Sequence, residues 1–382
     1  MLARLTEAKP RQPRISSPAF AAETVAAGLR RDAAALDRTG LVLPASILAL
    51  ADAGLLAAPL PEEAGGCGLG MACGSTARLL EILTIIGSGD LSIGRLYEGH
   101  VNALLLIDRY GTRAQRDRAA GAVQCENALF GVWNTDAHAA LSMIPSAAGW
   151  RLAGGKSFAS GAGLVAHALV TGRLPNGGRQ MLLVPMADLA DRIDRSAWQP
   201  LGMRASMSFA VDMTGITVPP ETLLGRPGDY LSEPWFSGGC VRFLAVQLGG
   251  ALALLNIVHD HLRQTGRQDD PYQIERFARM RVALEGGRLW LDHAAGIFDR
   301  VDAEETPARI IATANMARHA VEAACGLIID LAGKSVGVQG MMAPHPLERL
   351  MRDLTTYLRQ PGPDTALASV GREALAAEAL PW

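Results

Sequence analysis

Residues 149–161 restrict the fold more than any other part of the chain. Trp150 and Leu152 alternate with polar neighbours, Phe158 and Ser160 do likewise, and Gly154-Gly155 separates the two runs. Alternation puts successive side chains on opposite faces, which belongs to strands and not to helices. Both glycines tolerate positive φ, so the pair predicts a tight β-hairpin turn. Further strands are expected at residues 129–133, 166–171, 181–185 and 209–213, each bounded by turn residues.

Helical patterns flank this centre on both sides. Residues 20–36 and 44–56 carry apolar side chains at helical spacing, and Gly111-Thr112 stops one helix before another begins. Later, Val241, Leu244, Leu248, Leu252, Leu255 and Val258 trace one helical face, and Phe277, Met280, Leu284, Leu291 and Phe298 trace a second. Thr306 and Pro307 open a third helix, for which Gly333 is the expected stop, and Asp364 is the expected N-cap of the last. The chain is therefore expected to be mainly α with a central β-domain. The expected divisions are a disordered tail at 1–17, a helical domain at 18–126, a compact antiparallel β-domain at 127–230 and a helical bundle at 231–382.

Charge and composition exclude several function classes. The net charge of −2, with no basic run, argues against nucleic-acid binding, which needs clustered Lys and Arg. The most apolar run, residues 243–258, is broken by Gln247, Gly249, Gly250 and Asn256 and flanked by Arg242, His259 and Asp260. It is expected to be a buried helix of a soluble protein, not a membrane span. The five cysteines (Cys67, Cys73, Cys125, Cys240, Cys325) have no metal-ligand spacing and suit a reducing cytoplasm. The start of the chain has no apolar segment of the secretory kind. The glycine-rich residues 60–70 lack the Lys-Ser/Thr of a phosphate loop.

Four strings occur in one order. They are Leu-Pro-Glu-Glu-Ala-Gly-Gly at 60–66, the stretch from Gly149 through Lys156 to Gly161, Leu-Gly-Met-Arg-Ala-Ser at 201–206, and Pro-Leu-Glu-Arg-Leu-Met-Arg-Asp at 346–353. Together they resemble the acyl-CoA dehydrogenase superfamily over roughly residues 20 to 380. That resemblance implies an N-terminal helical domain, a small antiparallel β-barrel or sandwich, a C-terminal four-helix bundle and FAD as cofactor. It puts Phe158 against the isoalloxazine ring and the Ser160 hydroxyl at the flavin N5 edge, where a donor stabilises the reduced ring. Trp133, Asn134 and Thr135 match the family's flavin-contacting strand end. Arg267, Lys334 and Gly337 match positions that serve the cofactor's phosphates, with Arg267 reaching a neighbouring subunit. Each has a plain alternative: Phe158 as an inward strand residue, Asn134 and Thr135 as turn residues, Arg267 as a helix-end arginine, and Lys334 as a solvated loop lysine. His100 is expected to be a satisfied helix histidine.

The sequence departs from the family at its catalytic base. The usual glutamate position falls on Pro361, and the position used by other members, just before the bundle arginine Arg242, is Val241. The nearest carboxylate is Asp364. The resemblance therefore implies a flavin oxidoreductase acting on an acyl-thioester or related small molecule by hydride transfer to N5, with a relocated or absent base. The alternative is a monooxygenase of the same fold that takes reduced flavin (FMN or FAD) and O2 and needs no such base. A non-enzymatic relative without cofactor is the third possibility. Arg359, Gln360 and His100 are candidates for orienting a substrate. A homodimer or homotetramer is expected, served by an electron-transfer flavoprotein or a flavin reductase.

Overall fold

The computed structural model describes residues 17–300 and 306–378. The tail expected at 1–17 lies outside them except for Ser17, whose side chain caps the first helix. The N-terminal helices are α1 (Pro18–Thr39), α2 (Pro44–Asp52), α3 (Thr76–Gly89), α4 (Leu91–Tyr110) and α5 (Arg113–Glu126). Their ends follow local chemistry. Asp90 caps α4 by accepting from the Ile93 amide at 2.9 Å. Thr112 and Gln115 form a reciprocal capping box on α5. Each satisfies donors that the first turn leaves unpaired.

The middle region holds β1 (Phe130–Trp133), β2 (Ser142–Ser146), β3 (Gly149–Ala153), β4 (Gly155–Ala159), β5 (His167–Arg173), β6 (Arg179–Pro185), β7 (Ile193–Asp194), β8 (Phe209–Asp212), β9 (Thr217–Val218) and β10 (Leu223–Leu224). They form a seven-stranded sheet, β10-β6-β5-β2-β3-β9 with β1 also on β5, and a three-stranded sheet, β4-β8-β7. Most pairs are antiparallel as expected, but β1 and β2 run parallel to β5.

The expected hairpin at Gly154-Gly155 is not formed. β3 pairs with β2 and β9 in the large sheet, and β4 pairs with β8 in the small one. The two glycines are instead a corner at which the chain leaves one sheet and enters the other. Gly154 has φ +93°, and a Cβ there would lie 2.4 Å from the Ala140 carbonyl oxygen. The local pattern is the same for hairpin and corner, because only distant partners decide between them.

The C-terminal helices are α6 (Trp235–Gly238), α7 (Val241–Gln264), α8 (Pro271–Phe298), α9 (Pro307–Val336), α10 (Pro346–Tyr357) and α11 (Pro363–Ala376). Helices α7, α8 and α9 pack on one another, with α10 against α7 and α9, and α3 lies along α7. Residues 235–264 are long and apolar enough to cross a membrane by composition, yet 72% of that apolar window is buried within the protein, as a core helix would be. Two helix ends differ from expectation. Helix α9 continues past Gly333 and is capped by Gly337. Helix α11 is capped by Gly362 with Pro363 in its first position, so Asp364 lies in the first turn and is not the N-cap.

The strings at 201–206 and 346–353 meet. The Met203 amide donates to Asp353 Oδ1 at 2.6 Å, and Arg352 donates to the Leu201 carbonyl at 3.0 Å. A Cβ on Gly202 would stand 2.3 Å from the backbone of Arg352, so only glycine permits this approach. Asp353 is buried beside Arg349 and Asp90. Burial pushes its carboxyl up to about 6, with Arg349 acting against that rise. These two strings therefore fasten the β-region to the bundle.

Candidate functional site

Strand β4 is inside out relative to its composition. Lys156 is fully buried, whereas Phe158 is 63% exposed. A register irregularity between Lys156 and Ala159 and a left-handed Phe158 (φ +51°) produce this inversion. The plain alternative of an inward-facing Phe158 is thereby overturned. Among the aromatic rings of the described residues, the Phe158 ring meets the edge of Trp198, with centroids 6.3 Å apart and planes at 88°. An aromatic face held outward in a strained backbone conformation suits a ligand better than a core.

Lys156 anchors that inversion. Its ammonium donates to Asp136 Oδ1 at 2.7 Å, to the Asn134 carbonyl at 3.0 Å and to Thr171 Oγ1 at 3.2 Å. Arg179 reaches the second Asp136 oxygen at 3.1 Å. Burial would raise the Asp136 carboxyl, but Lys156 and Arg179 hold it below the usual range. Burial lowers the Lys156 ammonium, and Asp136 offsets part of that.

The other strand-end residues gather around this network. The Asn134 side-chain oxygen accepts from Thr171 at 2.7 Å, and the Thr135 carbonyl accepts from the Ser157 amide at 3.0 Å. Trp133 is buried and its indole donates to the Ser160 carbonyl at 2.9 Å. The Ser160 hydroxyl lies 2.9 Å from Ser208 Oγ, which lies 2.8 Å from Ser206 Oγ. Ser160 also lines a narrow cleft with Arg95, Gly99, Gly131 and Val165. The structure thus brings Trp133, Asn134, Phe158 and Ser160 into one neighbourhood, with Trp133 bracing it from below.

Arg267, Lys334 and Gly337 stand elsewhere, at one end of the bundle. Arg267 pairs with Asp270 at 3.0 Å, and Lys334 pairs with Asp330 at 2.7 Å. Arg276 approaches the Lys334 carbonyl at 3.5 Å. Exposed pairs of this kind stabilise little, and both cations remain accessible to a larger anion.

A second set of polar groups, missed from sequence, lies between α4 and α7. Arg95 donates to Glu98 Oε2 at 2.6 Å. Asn102 donates to the other Glu98 oxygen and accepts from Arg242 Nε across 140 residues of sequence. Burial pushes the Arg242 guanidinium down, with Glu98 pulling the other way. Tyr230 beside them is pushed up to about 12 by burial. Tyr357, 3% exposed, has a hydroxyl with no hydrogen-bond partner among the described residues. The i, i+3, i+7 spacing of Arg95, Glu98 and Asn102 in an otherwise apolar helix was the available signal, but nothing in the sequence ties it to Arg242.

His100, on the same helix, fills the structural role expected of it. Its Nε2 lies 2.8 Å from the Leu56 carbonyl and its Nδ1 accepts from the Phe130 amide at 3.1 Å, so the neutral ring ties α4 to β1. Burial lowers its pKa from 6.5 to about 4. The unfolded chain therefore takes up this proton first, and the stabilisation present above pH 6.5 is lost as pH falls toward 4. The loss amounts to about 3 kcal/mol. His100→Asn will flatten that limb of a denaturation-midpoint-against-pH curve; an unchanged slope would show that His100 does not set it.

Two matches to known families cover most of the chain: the acyl-CoA dehydrogenase N-terminal domain over residues 18–123 and its C-terminal domain over residues 236–374. The chain belongs to the acyl-CoA dehydrogenase family. Among relatives of this family member is a dibenzothiophene monooxygenase of Rhodococcus qingshengii, 24% identical, spanning 96% of this chain and 95% of the relative. Another is an isobutyryl-CoA dehydrogenase of Dictyostelium discoideum, 25% identical over 80% of this chain and 75% of the relative. In structure it resembles the methanesulfinate monooxygenase of Pseudomonas fluorescens, with TM-score 0.82 and 21% identity over 96% of this chain and 99% of the other. An FMN-bound enzyme of the same fold from Paenibacillus sp. A11-2 gives TM-score 0.83 at 21% identity over 95% and 98%.

The base positions of this acyl-CoA dehydrogenase family member hold no proton acceptor. Val241 is a buried apolar side chain. Pro361 is exposed and its carbonyl accepts from Arg318 at 2.8 Å. Asp364 is exposed on α11, a helix with no buried residue. Of the candidates to orient a substrate, Arg359 is exposed and only distantly paired with Glu322, at 3.8 Å. The Gln360 carbonyl accepts from Arg318 at 3.2 Å. Of the buried carboxylates, Asp90 caps α4, Asp353 is tied to the Met203 amide and Arg349, and Glu98 accepts from both Arg95 and Asn102, so each is already engaged within the fold. For a flavin the fit is good: an outward aromatic face at Phe158 and a hydroxyl at Ser160, on a main chain braced by Trp133.

Proposed function

We propose that this flavin-dependent oxidoreductase is a monooxygenase, taking reduced FMN or FAD and O2, in preference to an acyl-CoA dehydrogenase. The observation that carries this is the filling of both base positions by Val241 and Pro361, while Glu98 is locked between Arg95 and Asn102. Removal of an α-proton needs a carboxylate within reach of the substrate. Oxygen transfer to a sulfur, nitrogen or carbon centre does not. Relatives and structural neighbours named as monooxygenases support the same choice.

Reduced flavin, when bound, supplies the electrons that activate O2. The chain's own residues do the rest. Phe158 packs against the ring, and Ser160 offers its hydroxyl to the N5 edge while Ser208 holds that hydroxyl from behind. Trp133 fixes the Ser160 main chain. The apolar flanks of α4 and α7 exclude water from the reacting centre. Arg267 and Lys334 serve the cofactor's phosphate end from the neighbouring subunit. An exposed apolar row on α8, formed by Ile274, Val282 and Leu289, supports a homodimer or homotetramer. A flavin reductase is the partner this activity requires, and five free cysteines suit a cytoplasmic setting.

Stopped-flow mixing tests the proposal. The oxidation of reduced FMN by O2, followed with protein in excess, is expected to show a protein-dependent phase distinct from that of free flavin. Time courses identical to free reduced FMN at saturating protein would overturn it.

A further inference from the structure

We infer that Arg242, with Arg95 and the Tyr357 hydroxyl, forms an anion-recognising end of the substrate pocket, so that the substrate carries a compact carboxylate or sulfur oxyanion. This deepens the proposed monooxygenase activity and rests on it for the position of the reacting atom.

Three observations carry it. Charge is the first. Two guanidiniums, Arg95 and Arg242, share one carboxylate, Glu98. Glu98 Oε2 is taken by Arg95, and its other oxygen reaches Arg242 only through the neutral Asn102 amide. Arg242 therefore lacks a direct carboxylate partner among the described residues. Arg242 is half-buried, and withdrawing a cation even partly from water without one is unfavourable, which an incoming anion corrects.

Geometry is the second. Arg242 spends Nε on Asn102 and has no hydrogen bond from either terminal nitrogen among the described residues. That leaves a planar pair of donors, the arrangement that grips two oxygens of one carboxylate or sulfur oxyanion. The third is Tyr357, a buried phenol with an unpartnered hydroxyl in the field of Glu98 and Arg95. Such a group is costly to leave unmade, and a ligand oxygen would satisfy it.

The placement suits turnover. Arg95 and Ser160 line one narrow crevice, too tight as it stands for a water molecule, so a substrate entering there must part its walls. Glu98 fixes both arginines and keeps a second anion out.

Binding can be measured on flavin-free protein, without turnover. Propanoate and propanesulfonate, titrated by calorimetry, are expected to bind the wild type, while their neutral counterparts propanamide and propanesulfonamide do not. Arg242→Met is expected to weaken the anions by about 10- to 100-fold, Arg242→Lys to recover part of that, and Tyr357→Phe to lose about three- to tenfold. Should Arg242→Met fail to fold, Arg242→Lys and Tyr357→Phe carry the test alone. Equal binding of neutral and anionic probes, or anion binding unmoved by Arg242→Lys and Tyr357→Phe, would overturn the inference. Anion binding with no protein-dependent oxygen phase would instead sink the monooxygenase activity and leave the anion site standing.

Discussion

Replacing Phe158 by Gly will weaken flavin binding by about tenfold or more and leave the flavin-free protein no less stable. Most aromatic truncations remove a piece of core and cost stability. Phe158 is different, because it is 63% exposed and sits at φ +51°. A non-glycine residue in that region carries a penalty of about 1–2 kcal/mol, which glycine removes. Glycine's greater freedom in the unfolded chain returns about 0.5–1 kcal/mol of that gain. The ring's lost contact with Trp198 is a single edge-on meeting at the surface. Stacking on a planar heterocycle is worth about 1–3 kcal/mol, and this is lost from the holo form alone. Fluorescence quenching of FMN and denaturant unfolding of the flavin-free protein measure the two effects separately. A variant that binds FMN normally, or one that unfolds more readily without flavin, would show that Phe158 is structural.

Lys156→Ala should have the opposite profile, a large loss of stability before any effect on chemistry. Removing the ammonium leaves Asp136 with Arg179 and the more distant Arg173, leaves the Asn134 carbonyl without its side-chain donor, and leaves Thr171 Oγ1 only the long contact from Arg179 at 3.4 Å. Breaking a buried ion pair from one side costs about 3–5 kcal/mol. Strand β4 then has nothing to hold its inverted burial, so flavin affinity falls with the fold. Pairing Lys156→Met with Asp136→Leu should recover part of the loss, since the buried ammonium and its carboxylate leave together and the Arg179 and Arg173 left behind are partly exposed to water. Equilibrium unfolding in urea decides the matter. If the single variant unfolds like wild type, the network at Asp136 is dispensable.

The two residues show where sequence and structure part company. The strands at 129–133 and 209–213, the break between α4 and α5 at Gly111-Thr112 and the start of α9 at Thr306 were legible, because each depends on a few adjacent residues. The Gly154-Gly155 corner was not. A hairpin and a sheet-to-sheet corner have the same local alternation, and the partners that distinguish them lie on opposite sides, β2 shortly before the corner and β8 more than fifty residues after it. The burial of Lys156 and exposure of Phe158 reverse what hydropathy implies for neighbouring strand positions. A register irregularity does this, and its only local trace is the small and polar company of Ser157, Ala159 and Ser160.

The site was legible in part. The resemblance singled out Phe158, Ser160 and Trp133, and folding brings these together. It also singled out the missing base at Pro361 and Val241, which the structure fills with an exposed proline and a buried aliphatic. The interior polar chain from Arg95 to Arg242 was invisible, because its closing hydrogen bond joins helices α4 and α7. Asp364 drew attention as the nearest carboxylate in sequence, while the carboxylates inside the protein are Asp90, Glu98 and Asp353.

The central claim is that no residue beside the flavin site removes an α-proton from an acyl thioester. Anaerobic titration of the flavin-loaded protein with short-, medium- and long-chain acyl-CoA thioesters tests it most directly, with the flavin absorbance as readout. The oxidised spectrum is predicted to persist at every chain length, with no bleaching of the main visible band. Stoichiometric bleaching by any one thioester would contradict it and restore a dehydrogenase with a relocated base.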